Sequence, residues 1–174
     1  DLVAEINNDK LAFIPKKLDD EIRVICVDIA VISSKKNRND ATAILVMQLL
    51  PTGNGEYSRQ ILYLENYEGG HTETQALIVR RLFKQFECNY IVIDRLGAGI
   101  GVVDNLLKDL IDDNTGEVYE GLSCMNDEEI ANRYKGLNPT PPKAIFAVTG
   151  TPKFNSECAF NLRDCIRRGK LNLL

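Results

Sequence analysis

The sequence has 174 residues, enough for one domain with a substantial hydrophobic core. Its apolar share of 44% and charged share of 26% are ordinary for a globular protein, and we find neither a signal peptide nor an apolar run near the roughly 18 residues of a membrane helix. We therefore expect a protein that is neither secreted nor membrane-spanning. The net charge of −4 excludes bulk attraction to a polyanion, so nucleic-acid binding would require local basic patches or bridging metal ions.

The cysteine and histidine content argues against thiol chemistry. The number of cysteines is odd, and no C-x-x-C pair occurs among Cys26, Cys88, Cys124, Cys158 and Cys165. This pattern favours reduced thiols in a cytosolic protein over disulfides or a zinc site. The single histidine, His71, lies at a predicted helix start, where capping is the favoured role.

Residues 1–20 are mixed and polar, and we interpret them as the remnant of a linker that precedes a domain over residues 21–174. The first strand is predicted at residues 22–29. Its consecutive apolar residues lead directly into Asp28. An apolar run without polar alternation is typical of a strand that is buried on both faces, in the middle of an α/β sheet.

Two more strands are predicted, at residues 41–49 and 59–65. A basic, polar turn at residues 33–40 precedes the first of them. Residues 51–55, which contain Pro, Gly and Asn, indicate a turn before the second. Short connections between successive strands indicate an antiparallel meander.

The second half of the chain alternates between helices and strands. We predict a helix at residues 72–86 and a strand at Tyr90–Asp94. A second helix should follow the glycine-rich residues 97–101, with an apolar stripe that extends to Leu110 and Ile111. A strand at Lys143–Val148 and a helix at residues 156–168 complete the prediction. Residues 112–143 are polar and rich in Asn, Asp, Gly and Pro, and we expect them to form one long mobile loop. The order predicts a ribonuclease-H-like α/β fold: a mixed five-stranded sheet, with an antiparallel meander and parallel strands, flanked by helices.

Asp28 and Asp94 each follow an apolar strand. If these strands are parallel neighbours, both carboxylates lie at one edge of the sheet. Two close carboxylates repel each other, whereas a hard cation such as Mg²⁺ or Mn²⁺ between them removes the repulsion and suits oxygen ligands. The pair therefore indicates a metal site, with turn chemistry as the alternative. Asp40 lies across the first hairpin and could reach the same metal, or it could be a solvated turn residue.

The glycine cluster does not match a nucleotide-binding motif. Gly97, Gly99 and Gly101 lack the last glycine of G-x-G-x-x-G, and they follow the fourth predicted strand, not the first. A tight strand-to-helix turn that lets the backbone approach a phosphate is the favoured interpretation. No P-loop motif occurs in the sequence. The basic residues Lys35, Lys36 and Arg38 border the carboxylate edge. Such a run is usually a solvated loop, but beside a carboxylate pair it would suit a phosphodiester backbone.

Three segments carry a resemblance to a known family. They are residues 27–30 (Val-Asp-Ile-Ala), residues 39–43 (Asn-Asp-Ala-Thr-Ala) and residues 91–106 (Ile-Val-Ile-Asp-Arg-Leu-Gly-Ala-Gly-Ile-Gly-Val-Val-Asp-Asn-Leu). Together they resemble the nuclease domain of the terminase large subunit of tailed bacteriophages, a DNA-packaging motor protein. The resemblance covers about residues 22–110 and continues more weakly through residues 155–171.

The resemblance implies a function and a set of partners. It implies a divalent-metal-dependent endonuclease that cuts double-stranded DNA during viral genome packaging in the host cytoplasm. Asp28 and Asp94 match the first two metal-binding acids of the family, and Asp40 matches an accessory acid. One or two Mg²⁺ or Mn²⁺ ions would be the cofactors. The partners implied are an N-terminal ATPase domain in the full protein, the portal and the small terminase subunit.

The third acid of the family lies downstream of the last predicted helix. We therefore expect the domain to be truncated at its C-terminus, with Glu157 and Asp164 as the available substitutes. Two alternatives stay open. The chain could be another ribonuclease-H-like nuclease of the resolvase or integrase type, or a non-catalytic docking module of the packaging motor.

Overall fold

The computed structural model describes residues 14–30, 41–68, 70–134 and 141–172. The strands are β1 (Ile22–Asp28), β2 (Ala41–Gly53), β3 (Glu56–Glu68), β4 (Tyr90–Asp94), β5 (Leu110–Asp112), β6 (Glu117–Tyr119), β7 (Ser123–Cys124), β8 (Lys143–Val148) and β9 (Leu171–Asn172). The helices of these residues are α1 (Thr72–Gln85), α2 (Gly99–Leu106), α3 (Glu128–Asn132) and α4 (Pro152–Arg167).

A mixed sheet with the order β7-β8-β4-β1-β2-β3-β9 forms the centre of the molecule. The β1–β2 and β2–β3 pairs are antiparallel, whereas β4 pairs with both β1 and β8 in parallel. The prediction of an α/β protein with a meander, parallel strands and flanking helices is confirmed. The predicted count of five strands was too low, because the two-residue strands β7 and β9 extend the two edges.

The second predicted helix is shorter than its apolar pattern suggested. Helix α2 ends at Leu106, and Leu110 and Ile111 belong to β5, so their assignment to the helix was wrong. The chain turns at Asp109, whose Oδ1 accepts a hydrogen bond of 2.7 Å from the Gly121 amide. Asp109 thereby fixes the start of the small hairpin formed by β5 and β6.

The prediction of one long loop over residues 112–143 was also wrong for the described residues of that stretch, which contain β6, β7 and α3. Its polar side chains form hydrogen bonds and ion pairs with other elements of the fold. Asn126 donates to the Ala147 carbonyl (2.8 Å) and accepts from the Ala147 amide (2.9 Å). Asp112 pairs with Arg81, and this contact lowers the pKa of Asp112 to about 2. The polar composition therefore reflects side chains that anchor structure; residues 135–140 lie outside the described residues.

The two faces of the sheet are covered unequally. Alternate side chains of β1, β2 and β4 are buried against α1 and α2, and they form the core with Ile25, Val27, Ile44, Val46, Ile91 and Ile93. On the other face the side chains are only half-buried, and Leu64 and Phe146 are 47% and 41% exposed. Helix α4 lies over this second face, yet none of its residues is buried. The second face is thus open to solvent at its edges.

Candidate metal centre

The register of β1 and β4 places Asp28 and Asp94 side by side. The two strands are parallel neighbours, and the last assigned pair joins Val27 to Ile93, directly before the two aspartates. Adjacent strands lie about 4.8 Å apart. The structure therefore brings the two predicted site residues together at the carboxyl ends of neighbouring strands.

Both carboxylates also lie on the same face of the sheet. Side chains alternate between the faces along a strand. Val27 and Ile93 point into the core, so Asp28 and Asp94 project to the side of α4, where Asp28 is exposed and Asp94 is half-buried. A one-residue shift in either strand would have separated them.

The two aspartates line an open groove of about 530 Å³ between the sheet and the start of α4. Its other lining residues are mostly small or apolar: Cys26, Val27, Ala43, Leu45, Leu64, Val92, Val148, Gly150, Phe154 and Asn155. Burial raises the pKa of the Cys26 thiol to about 11, so this thiol is neutral at pH 7. Among the described residues, the two carboxylates are therefore the acidic groups that line the groove.

The turn after β4 fixes Asp94. Its Oδ1 accepts a hydrogen bond of 2.9 Å from the Leu96 amide. A Cβ on Gly99 would overlap the carbonyl oxygen of Asp94, and Gly97 has a φ of 58°. The glycine cluster thus forms the tight strand-to-helix turn that the sequence predicted; its approach to a phosphate stays a prediction.

The neighbouring cation, Arg95, is engaged elsewhere. Its Nη1 pairs with Asp127, the N-cap of α3, and its Nε donates to Thr149 Oγ1 at 2.9 Å. Across the described ranges, neither Asp28 nor Asp94 takes part in an ion pair. A cationic ligand in the groove would therefore meet two carboxylates that no described cationic side chain neutralises.

Of the other predicted acids, the two that the structure describes do not lie in this groove. Asp164 pairs with Arg168 at 2.9 Å and lines a separate groove beside Met47 and Arg59. Glu157 is exposed on α4 and lines neither groove. Asp40 lies outside the described residues, as do Lys35, Lys36 and Arg38. In the part of the chain that the structure describes, no group of three or more His, Cys, Asp or Glu side chains could hold a metal ion.

Sequence reasoning missed Gly150 and Asn155, which complete the groove. Helix α4 begins at Pro152, four residues before its predicted start, and Thr151 caps it by accepting from the Phe154 amide. Thr followed by Pro is a recognised helix start, with proline in the first turn. That signal would have placed Asn155 in the first turn of α4, next to the carboxylate edge.

The two carboxylates fit a divalent cation. Hard cations such as Mg²⁺ prefer oxygen ligands and keep several water molecules, so a site with two protein carboxylates and an open side suits them. An ion between Asp28 and Asp94 would also offset the repulsion between two adjacent negative charges. The chemistry of the residues present therefore agrees with the predicted metal.

A scan against protein-family models and a search of curated proteins each found no match to this chain. None of the described helices is long and apolar enough to cross a membrane.

Proposed function

We propose that this protein is a divalent-metal-dependent endonuclease of the ribonuclease-H-like class that hydrolyses double-stranded DNA. The observation that carries the proposal is the pair Asp28 and Asp94, adjacent in register on neighbouring parallel strands and directed into one open groove. Two adjacent carboxylates without an ion-pair partner among the described residues would repel each other and would repel DNA. A cation bound between them would remove both repulsions.

The order of the strands supports this class. A meander of β1, β2 and β3 comes first, and β4 and β8 then add in parallel on the other side of β1. This is the order expected of a ribonuclease-H-like sheet, with the first acid on the central strand. Fold alone does not define an activity, and it is the carboxylate pair in the groove that favours metal-dependent chemistry.

The chemistry of phosphodiester hydrolysis assigns a role to each residue. When bound, Mg²⁺ or Mn²⁺ supplies a water molecule of lowered pKa and polarises the scissile phosphate. Asp28 and Asp94 are the residues that would hold and orient the cation. The Leu96 amide holds Asp94 in place through its hydrogen bond. Water attacks phosphorus, the bond to the 3′ oxygen breaks, and a proton leaves with the 3′ hydroxyl.

The substrate and partners follow from the resemblance to terminase nuclease domains. Under this proposal the DNA is a viral genome cut during packaging in the host cytoplasm, with an ATPase domain, a portal and a small subunit as partners. DNA would be held through its backbone, so binding should weaken steeply with salt.

The proposal is tested with Asp28→Asn and Asp94→Asn, which keep the shape of each side chain and remove its charge. We expect each variant to fold and to cleave plasmid DNA in Mn²⁺ at least 100-fold more slowly than the wild type, with chelator abolishing the wild-type activity. The matched control is Asp113→Asn, in an exposed turn remote from the groove, which should cleave normally.

Unchanged cleavage by folded Asp28→Asn would contradict the assignment. Calorimetric titration of the wild type with Mn²⁺ separates the alternative of a non-catalytic docking module, which should show no binding that depends on the two carboxylates. Preference for branched over linear duplex substrates would instead indicate a nuclease of the resolvase type.

A further inference from the structure

The turn between β8 and α4 passes directly over the carboxylate of Asp94. A Cβ built on Gly150 would lie 2.5 Å from Asp94 Oδ2 and 3.6 Å from its Cγ. Real Cβ atoms essentially never approach an oxygen so closely. The carboxylate therefore occupies the space that any side chain at position 150 would need.

The backbone conformation does not require a glycine here. Gly97 has a φ of 58° and Gly169 a φ of 63°, values that favour glycine, whereas Gly150 is not among the residues with positive φ. An alanine at position 150 would thus meet one obstacle, the Asp94 carboxylate.

The turn itself is held close to β4. The Arg95 amide donates to the Val148 carbonyl at 2.9 Å, and β8 pairs with β4 up to Asp94 and Val148. The Thr151 amide donates to Thr149 at 2.8 Å. Because these bonds restrain the backbone, a methyl group at position 150 would displace the carboxylate more readily than the turn.

The two carboxylate oxygens of Asp94 thus have different surroundings. The Leu96 amide binds Oδ1, and the bare Cα of Gly150 makes room for Oδ2. Asn155 Oδ1 lies 3.6 Å from the same Cβ position, so this space borders the amide of Asn155 as well.

We propose that Gly150 is a positioning residue for the metal site: its missing side chain lets Asp94 hold its carboxylate in the groove beside Asp28. The effect on metal binding rests on the proposed function, whereas the steric relation between Gly150 and Asp94 can be tested without metal. With Gly150→Ala, Asp94 would rotate and lose the hydrogen bond from Leu96.

The first experiment is a cycle of melting temperatures measured in chelator. Gly150→Ala should lower the melting temperature of the wild type by a few degrees, and it should have no such effect in an Asp94→Ala background, where the obstructing oxygen is absent. The amide proton of Leu96 should shift in Gly150→Ala toward its position in Asp94→Ala. Equal destabilisation in both backgrounds, or an unmoved Leu96 signal, would overturn the proposal.

The second experiment measures Mn²⁺ binding by calorimetry. Gly150→Ala should weaken binding at least tenfold, and it should have no further effect when added to Asp94→Ala. Gly101→Ala is the matched control: Gly101 also lacks a positive φ and would place its methyl 3.0 Å from Thr72 Cγ2, away from the groove. It should bind Mn²⁺ as the wild type does.

The experiments distinguish a failure of the proposed function from a failure of the role proposed for Gly150. If the wild type binds no Mn²⁺, the proposed function fails, while the cycle of melting temperatures still decides whether Gly150 positions Asp94. If the wild type binds Mn²⁺ and folded Gly150→Ala binds it equally well, the inference about Gly150 fails alone. If Gly150→Ala does not fold, a folded Gly150→Ala/Asp94→Ala double variant supports the proposal, and an unfolded one overturns it.

Discussion

The two ends of β1 carry charges in opposite situations. At the amino end, Arg23 and Glu21 are 0% and 3% exposed and pair with each other. Arg23 also donates to the carbonyls of Phe86 (3.1 Å) and Pro15 (2.6 Å). At the carboxyl end, Asp28 is exposed beside Asp94, and within the described ranges it has no cationic partner.

The charge of Arg23 stabilises the fold, whereas the charge of Asp28 can bind a ligand. A buried ion is tolerated only when partners replace the water it loses, and each of the three guanidinium nitrogens of Arg23 donates to an oxygen of Glu21, Phe86 or Pro15. Asp28 stays hydrated, so it pays little of that cost and keeps its charge for a ligand. One strand thus joins a closed polar network to an open site.

The largest effect should come from breaking the closed end. Arg23→Met removes the partner of a buried carboxylate, and we expect the free energy of unfolding to fall by about 3–5 kcal/mol. Urea titration measures this. The double variant Arg23→Met/Glu21→Gln should recover part of the loss, because no buried charge is left unpaired. A loss as large in the double variant would contradict this account.

A smaller effect should appear in acid. Burial alone would raise the pKa of Glu21, but hydrogen bonds from Arg23, the Leu18 amide and Gln48, together with the charge of Arg23, outweigh it, and the pKa falls below its ordinary value of 4.5. The stabilisation is therefore complete above about pH 4.5 and is lost as the pH drops through the lowered pKa. Melting curves from pH 6 to pH 2 should show this loss in the wild type and less of it in Glu21→Gln.

The smallest effect, with the opposite sign, is expected at the open end. Asp28→Asn relieves repulsion with Asp94, so in chelator the free energy of unfolding should rise by up to about 1 kcal/mol. Mn²⁺ should then stabilise the wild type and leave the variant unchanged. Asp113→Asn serves as the control, with no change in either condition. Destabilisation by Asp28→Asn in chelator would show that the carboxylate has a structural role.

The strands that form the candidate site were predictable because their apolar runs are unambiguous. Strands β4 and β8 have the bounds given by the sequence, and β1 differs by one residue. Residues 112–134 were misjudged because polar composition does not distinguish a mobile loop from side chains such as Asn126 that bond to a distant strand. Such bonds depend on the tertiary structure, which local composition does not encode.

The candidate site was predictable only where its residues follow from local sequence. Asp28 and Asp94 follow from a repeated local pattern, an apolar strand that ends in an aspartate. The role of Gly150 did not follow from such a pattern. The turn that contains Gly150 lies 56 positions along the chain from Asp94 and contacts Asp94 only in the folded state. The burial of Arg23 likewise required the folded positions of Phe86 and Pro15.

Helix α4 has a consequence for how the protein fluctuates. No residue of α4 is buried; beyond its C-terminus, Lys170 joins β3 through a 3.0 Å bond from the Arg59 amide and an ion pair with Glu56. A helix with so little burial opens at a small fraction of the global unfolding free energy. Its amides should therefore exchange hydrogen with solvent long before those of β1. Each local opening would widen the groove over Asp28 and Asp94 while the sheet that carries them stays folded.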